Sequence, residues 1–145
     1  MIPAKTKSVV VDSWAVIAYL EDEPPAGEIG ELFAEANEAG IPLLMTVVNA
    51  GEVWYSVARE GSEAEADQSL KDIADLGIAI VEADWRLTRQ AARFKAKGRI
   101  AYADCFAGAL AKLGHAPLMT GDPEFKLIDK EISIIWLSER RKAGA

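Results

Sequence analysis

Apolar residues along the chain alternate between two patterns. Five short runs are apolar almost throughout: SVVVD (8–12), PLLMT (42–46), GIAIVE (77–82), APLMT (116–120) and ISIIWL (132–137). Continuous aliphatic runs of this length predict strands buried on both faces, as in a parallel sheet. The stretches between them carry helical periodicity. Ile29, Leu32, Phe33 and Ala36 fall on one face, and Gly40 is a stop signal. Ala66, Leu70 and Ile73 form a second stripe between a Ser62 N-cap and Gly77. Leu87, Ala91 and Phe94 form a third, closed by Gly98. Segment 103–114, ADCFAGALAKLG, is rich in small residues and predicts close backbone packing. Strands alternating with helices predict an α/β fold, with a central, mostly parallel sheet of about five strands flanked by helices.

No linker, repeat or low-complexity segment interrupts this alternation, so residues 1–145 read as one domain. No run approaches the roughly 20 apolar residues of a membrane span, and the N-terminus has no signal-peptide pattern. One cysteine, Cys105, excludes an internal disulfide and suits a reducing, cytoplasmic setting. One histidine, His115, argues against a His/Cys zinc site. Both read as structural residues, and Trp14, Trp54, Trp85 and Trp136 as core or interface. There is no GxGxxG or GxxxxGK[ST] phosphate loop.

Net charge is −7, from 16 basic and 23 acidic residues. Taken alone, this disfavours nucleic acid. The inference reverses if some of the acids hold a cation, so their placement matters. Asp12 ends the first strand. Asn49 and Glu52 share a face of the helix after the second. Asp104 opens the small-residue helix, and Asp122 follows the fourth strand in TGDPEF. In open α/β sheets, ligands bind beyond the carboxyl ends of the strands. Two carboxylates about 4 Å apart repel by roughly 4 kcal/mol at an effective dielectric near 20. Convergence therefore demands protonation or a metal. An all-oxygen set favours Mg²⁺ or Mn²⁺.

Each acid also has an ordinary structural reading. Asp12 and Asp104 stand where N-caps stand, Asp122 precedes a turn-forming proline, Glu52 suits a solvated helix face, and Glu124 suits the surface. Arg86, Arg89, Arg93 and Lys97 form a basic stripe, either a solvated helix face or a track for a phosphate backbone.

The order of these blocks resembles the PIN-domain family, and within it the VapC-type toxin ribonucleases of toxin–antitoxin pairs. The matching segments are VVVDSWAVIAYL, NAGEVWYSVAR, YADCFAGALA and LMTGDPEF. The resemblance implies a PIN-like parallel sheet with an acidic quartet, Asp12, Glu52, Asp104 and Asp122, binding Mg²⁺ or Mn²⁺. It implies supporting roles for Ser13, Asn49 and Thr120, and matches Glu124 to an optional further acid. It further implies endoribonuclease activity, a homodimer and a VapB-type antitoxin partner. Trp14 departs from the family pattern, which favours a small residue there. Three other functions remain open. A haloacid-dehalogenase-type phosphohydrolase needs a second acid at position 14, which is Trp. A non-catalytic PIN-like binding module would lack turnover. A DNA-directed nuclease would cut without a 2′-OH.

Overall fold

The structure is a computed structural model that describes residues 1–138. It is an α/β fold in which all five strands run parallel, in the order β3-β2-β1-β4-β5. β1 (Val9–Val11) leads into α1 (Ser13–Leu20) and α2 (Ala26–Ala39). β2 (Leu43–Thr46) leads into α3 (Val47–Glu60) and α4 (Glu63–Asp75). β3 (Ile78–Val81) is followed by α5 (Trp85–Lys97) and α6 (Tyr102–Gly114), then β4 (Leu118–Thr120). A 3₁₀ turn over Pro123–Leu127 precedes β5 (Ile134–Trp136).

Every predicted strand is present, shortened by a residue or more at its ends. The capping signals act as read. Ser62 accepts the Glu65 N–H, and Gly40 ends α2 in the left-handed region with φ 69°. Gly98 ends α5 with an extended backbone.

The period-two geometry of the central strand builds two cores. Val9 and Val11 join Ala15, Ile29, Phe33, Val53 and Ile73 on the side of α1 to α4. Val10 joins Leu87, Phe94, Phe106, Leu118 and Phe125 on the side of α5 and α6. Both faces of β1 and β4 are therefore buried, worth roughly 1.5–3 kcal/mol per large aliphatic side chain. The edge strands differ: Ile80 is half-exposed in β3, as is Trp136 in β5. Trp85 is 70 % exposed, so of the core or interface positions expected for the tryptophans, neither it nor Trp136 takes a core one.

The small-residue helix packs as its composition predicts. A methyl on Gly108 would stand 2.5 Å from Ile128 Cδ1, so the Ile128 side chain would have to shift to admit it. Cys105 is fully buried, and His115 caps α6 in the left-handed region. Among the described residues, no helix is long and apolar enough to cross a membrane.

This topology fixes where a ligand can bind. The chain leaves β1 toward β2 on one side, and β4 lies on the other. The crevice beyond their carboxyl ends is the switch point of the sheet. Asp12 closes one wall of it, and Thr120 and Asp122 close the other.

Candidate active site

Asp12 is fixed by two hydrogen bonds. It is the N-cap of α1, its Oδ1 accepting the Ala15 N–H at 3.0 Å. Its Oδ2 accepts the Thr120 hydroxyl at 2.6 Å. The side chain is 1 % exposed. Burial pushes its carboxyl up to about 7, against the pull of these two hydrogen bonds; Asp122 and Glu52 push the same way as burial. An ordinary N-cap is solvated and keeps its charge at little cost. This one is buried among other acids.

Thr120 joins both walls of the crevice. Besides donating to Asp12, its Oγ1 accepts the Asp122 N–H at 3.1 Å. Asp122 in turn accepts the Glu124 N–H at 2.9 Å and caps the 3₁₀ turn. Its backbone is extended, at φ −74° and ψ 115°, as the following proline favours.

Glu52 is held from two elements. Its Oε1 accepts the Ser13 hydroxyl at 2.8 Å and the Asn49 side-chain N–H at 3.1 Å. Asn49 is completely buried and reaches further. The same Nδ2 donates to the Ala103 carbonyl at 3.1 Å, and its Oδ1 accepts the Thr46 hydroxyl at 2.6 Å. Asn49 thus ties β2, α3 and α6 together behind Glu52. Thr46 was not singled out from the sequence. Its signal is TVVN, an N-cap threonine three residues before the asparagine whose N–H it accepts.

Asp104 is not an N-cap. Ala101 occupies that position without a side-chain bond, and Asp104 lies in the first turn of α6, 8 % exposed. The positive end of the helix favours an anion there. Burial nonetheless pushes its carboxyl up to about 8, helped by Asp122, Asp12, Glu52 and Glu124. The field at Asp104 therefore comes from the other three members of the predicted quartet and one further acid.

Glu124 is not the free surface residue its bland reading suggests. It is half-buried and accepts the Ala101 N–H, just before α6. Oxygens of Asp104, Asp122 and Glu124 all lie within 4.8 Å of one another. Three carboxylates at such spacing, one of them raised to about 8, fit a hard divalent cation with oxygen ligands. Asp12 and Glu52 stand around them as further acids.

The basic stripe lies elsewhere. Arg86, Arg89, Arg93 and Lys97 are all exposed on α5, opposite Leu87, Gln90, Ala91 and Phe94. Arg93 and Lys97 act on Glu131, which pairs with Lys112.

A sequence profile of the PIN domain matches residues 9–131. The chain belongs to the PIN-domain family. No curated protein matches it in sequence, but solved structures share its fold. VapBC2 from Rickettsia felis, bound to a promoter DNA fragment, is 15 % identical with a TM-score of 0.69, over 90 % of this chain and 98 % of that one. VapC20 from Mycobacterium tuberculosis, a toxin that cleaves the sarcin-ricin loop, is 14 % identical with a TM-score of 0.67, over 82 % and 93 %. VapBC-5 from the same organism is 22 % identical with a TM-score of 0.60, over 92 % and 99 %.

Proposed function

We propose that the protein is a Mg²⁺- or Mn²⁺-dependent endoribonuclease, the VapC-type toxin of a cytoplasmic toxin–antitoxin pair. The observation behind this reading is the acidic crevice, in which five carboxylates from four separate segments meet at the switch point of the sheet. Stability alone gives no reason to gather them, because each raises the cost of ionising Asp104. Membership of the PIN-domain family and the fold shared with VapC20 support the choice of RNA as substrate.

When bound, a divalent cation supplies a water of lowered pKa and neutralises charge on the scissile phosphate. Asp104, Asp122 and Glu124 would hold it, with Asp12 and Glu52 completing the acidic surround. Ser13 and Asn49 keep Glu52 aimed inward. Thr120 holds Asp12 through one contact and the Asp122 backbone through another. Asp122, at the mouth of the crevice, orients the attacking water. Water adds to phosphorus and the 3′-oxygen leaves, giving a 5′-phosphate and a 3′-hydroxyl. The exposed arginines of α5 would contact the RNA backbone away from the reacting phosphate.

An antitoxin is the natural partner for such a site. A basic segment entering the crevice would satisfy the carboxylates and exclude both cation and RNA. The VapBC complexes of the same fold support this, and a homodimer is the assembly expected with it. The test is cleavage of matched RNA and DNA strands with Mn²⁺, with the new ends identified. RNA fragments bearing 5′-phosphate are expected. Cyclic 2′,3′-phosphate ends would contradict the mechanism, and equal cleavage of DNA would contradict the substrate.

A further inference from the structure

Trp14 follows Ser13 in the first turn of α1, one wall of the acidic crevice. Its indole reaches across to the other wall. A methyl on Gly121 would lie 2.2 Å from Trp14 Cη2 and 2.6 Å from both Cζ2 and Cζ3. Three ring atoms thus occupy the space of a side chain at position 121. The ring cannot easily swing away, because Trp14 is partly buried and packed against the core on the α1 side. Gly121 is itself buried. It is the single residue between Thr120, which binds Asp12, and Asp122, which Thr120 also holds.

We propose that Trp14 is a positioning residue of the acidic site: its indole, seated on the Gly121 backbone, sets the spacing between the first turn of α1 and the end of β4. The wedge works because indole is large and rigid and because glycine leaves the backbone bare. The two residues form a matched pair across the crevice. With the indole removed, Gly121 gains freedom and Asp122 loses its fixed aim. With a side chain added at 121, the two walls are forced apart. This inference deepens the metal-centre reading and rests on it for its consequence, but the packing itself is measurable without metal.

The experiment is amide hydrogen exchange by NMR on the metal-free protein, followed by Mn²⁺ titration calorimetry. The variants are Trp14→Ala, Trp14→Phe, Gly121→Ala and the Trp14→Ala/Gly121→Ala pair. The Asp122 and Glu124 amides report the two hydrogen bonds that fix this loop. In Trp14→Ala and in Gly121→Ala they are expected to exchange about tenfold faster or more, as local opening becomes easier. Mn²⁺ affinity is expected to fall about 10- to 100-fold, the usual cost of losing an outer support of a metal site. The double variant should bind Mn²⁺ more tightly than Gly121→Ala, because the collision is gone. The Leu87 amide, bonded to Asp84 at the start of α5, should exchange as in the wild type.

If Trp14→Ala does not fold, Trp14→Phe decides, with a smaller change in the same direction at the same amides. Unchanged exchange at Asp122 and Glu124 in the folded Trp14 variant would overturn the proposal. So would acceleration shared equally by Leu87, which reports general loosening. Variants that show the exchange pattern beside a wild type that binds no Mn²⁺ would overturn the metal-centre reading and leave the positioning role standing.

Discussion

The Thr120 hydroxyl donates to Asp12 Oδ2 at 2.6 Å, across 108 residues of sequence. The same oxygen accepts the Asp122 N–H at 3.1 Å. One side chain therefore sets two acids at once, and its loss has a signed consequence. The bond favours ionised Asp12, so Thr120→Val should raise the pH at which Mn²⁺ binding is half complete. Affinity at neutral pH should fall about 10- to 100-fold. Mn²⁺ titrations across a pH series check both expectations.

Asn49 predicts a loss of stability together with a loss of turnover. Asn49→Ala removes its contacts with Thr46, Glu52 and the Ala103 carbonyl. Stranded partners cost about 1–3 kcal/mol each where they cannot rehydrate. Urea unfolding should show a destabilisation of roughly 2–3 kcal/mol. Cleavage by the folded fraction should also drop, because Glu52 keeps only its Ser13 contact.

The metal-free protein should be more stable at mildly acidic than at mildly alkaline pH. Asp12 and Asp104 sit near 7 and 8 in the fold, above the ordinary aspartate value near 4. Between those limits the folded state holds protons that the unfolded chain has released. Stability contributed by these groups is therefore full below pH 4 and declines as pH rises through 7 to 8. Exposed Glu21, also raised to about 7, adds in the same direction, whereas Glu131, lowered by its hydrogen bond to Lys112, changes stability only below the ordinary value of 4.5 and leaves this decline untouched. Excess Mn²⁺ should reverse the trend above pH 7, because the cation replaces the protons. Thermal melts at pH 5 to 8.5, with and without Mn²⁺, test this. A metal-free melting temperature that rises from pH 6 to 8 would contradict it.

Asp104→Asn separates function from stability. The amide keeps the shape and removes a charge that four other acids oppose. At pH 8 without metal, the variant should be more stable than the wild type by more than about 1.4 kcal/mol, the free energy of a single pKa unit, because the Asp104 carboxyl is raised by several such units. With excess Mn²⁺ the order should invert. Denaturant midpoints for the two proteins in both conditions check this.

Much of this arrangement was legible in the sequence, and for identifiable reasons. The continuous aliphatic runs marked the strands because both faces of the inner strands are buried. The acids were legible as strand-end residues because an α/β sheet aims its strand ends at one crevice. Thr46 was overlooked because a threonine after a strand resembles any cap, and its partner Asn49 is defined only by the packing of α3 on α6. Glu124 was read as surface because its bond to the Ala101 N–H joins elements 23 residues apart. Trp85 and Trp136 lie outside the core because one opens an outer helix and the other ends an edge strand, which residue type alone does not show.

The most direct test is cleavage of a cellular RNA pool by wild-type protein with Mn²⁺, with EDTA, and by the Asp104→Asn variant with Mn²⁺. The expected result is cleavage by the wild type with metal and none in the other two reactions. Equal cleavage by Asp104→Asn, or cleavage that survives EDTA, would contradict a metal-dependent nuclease built on this site.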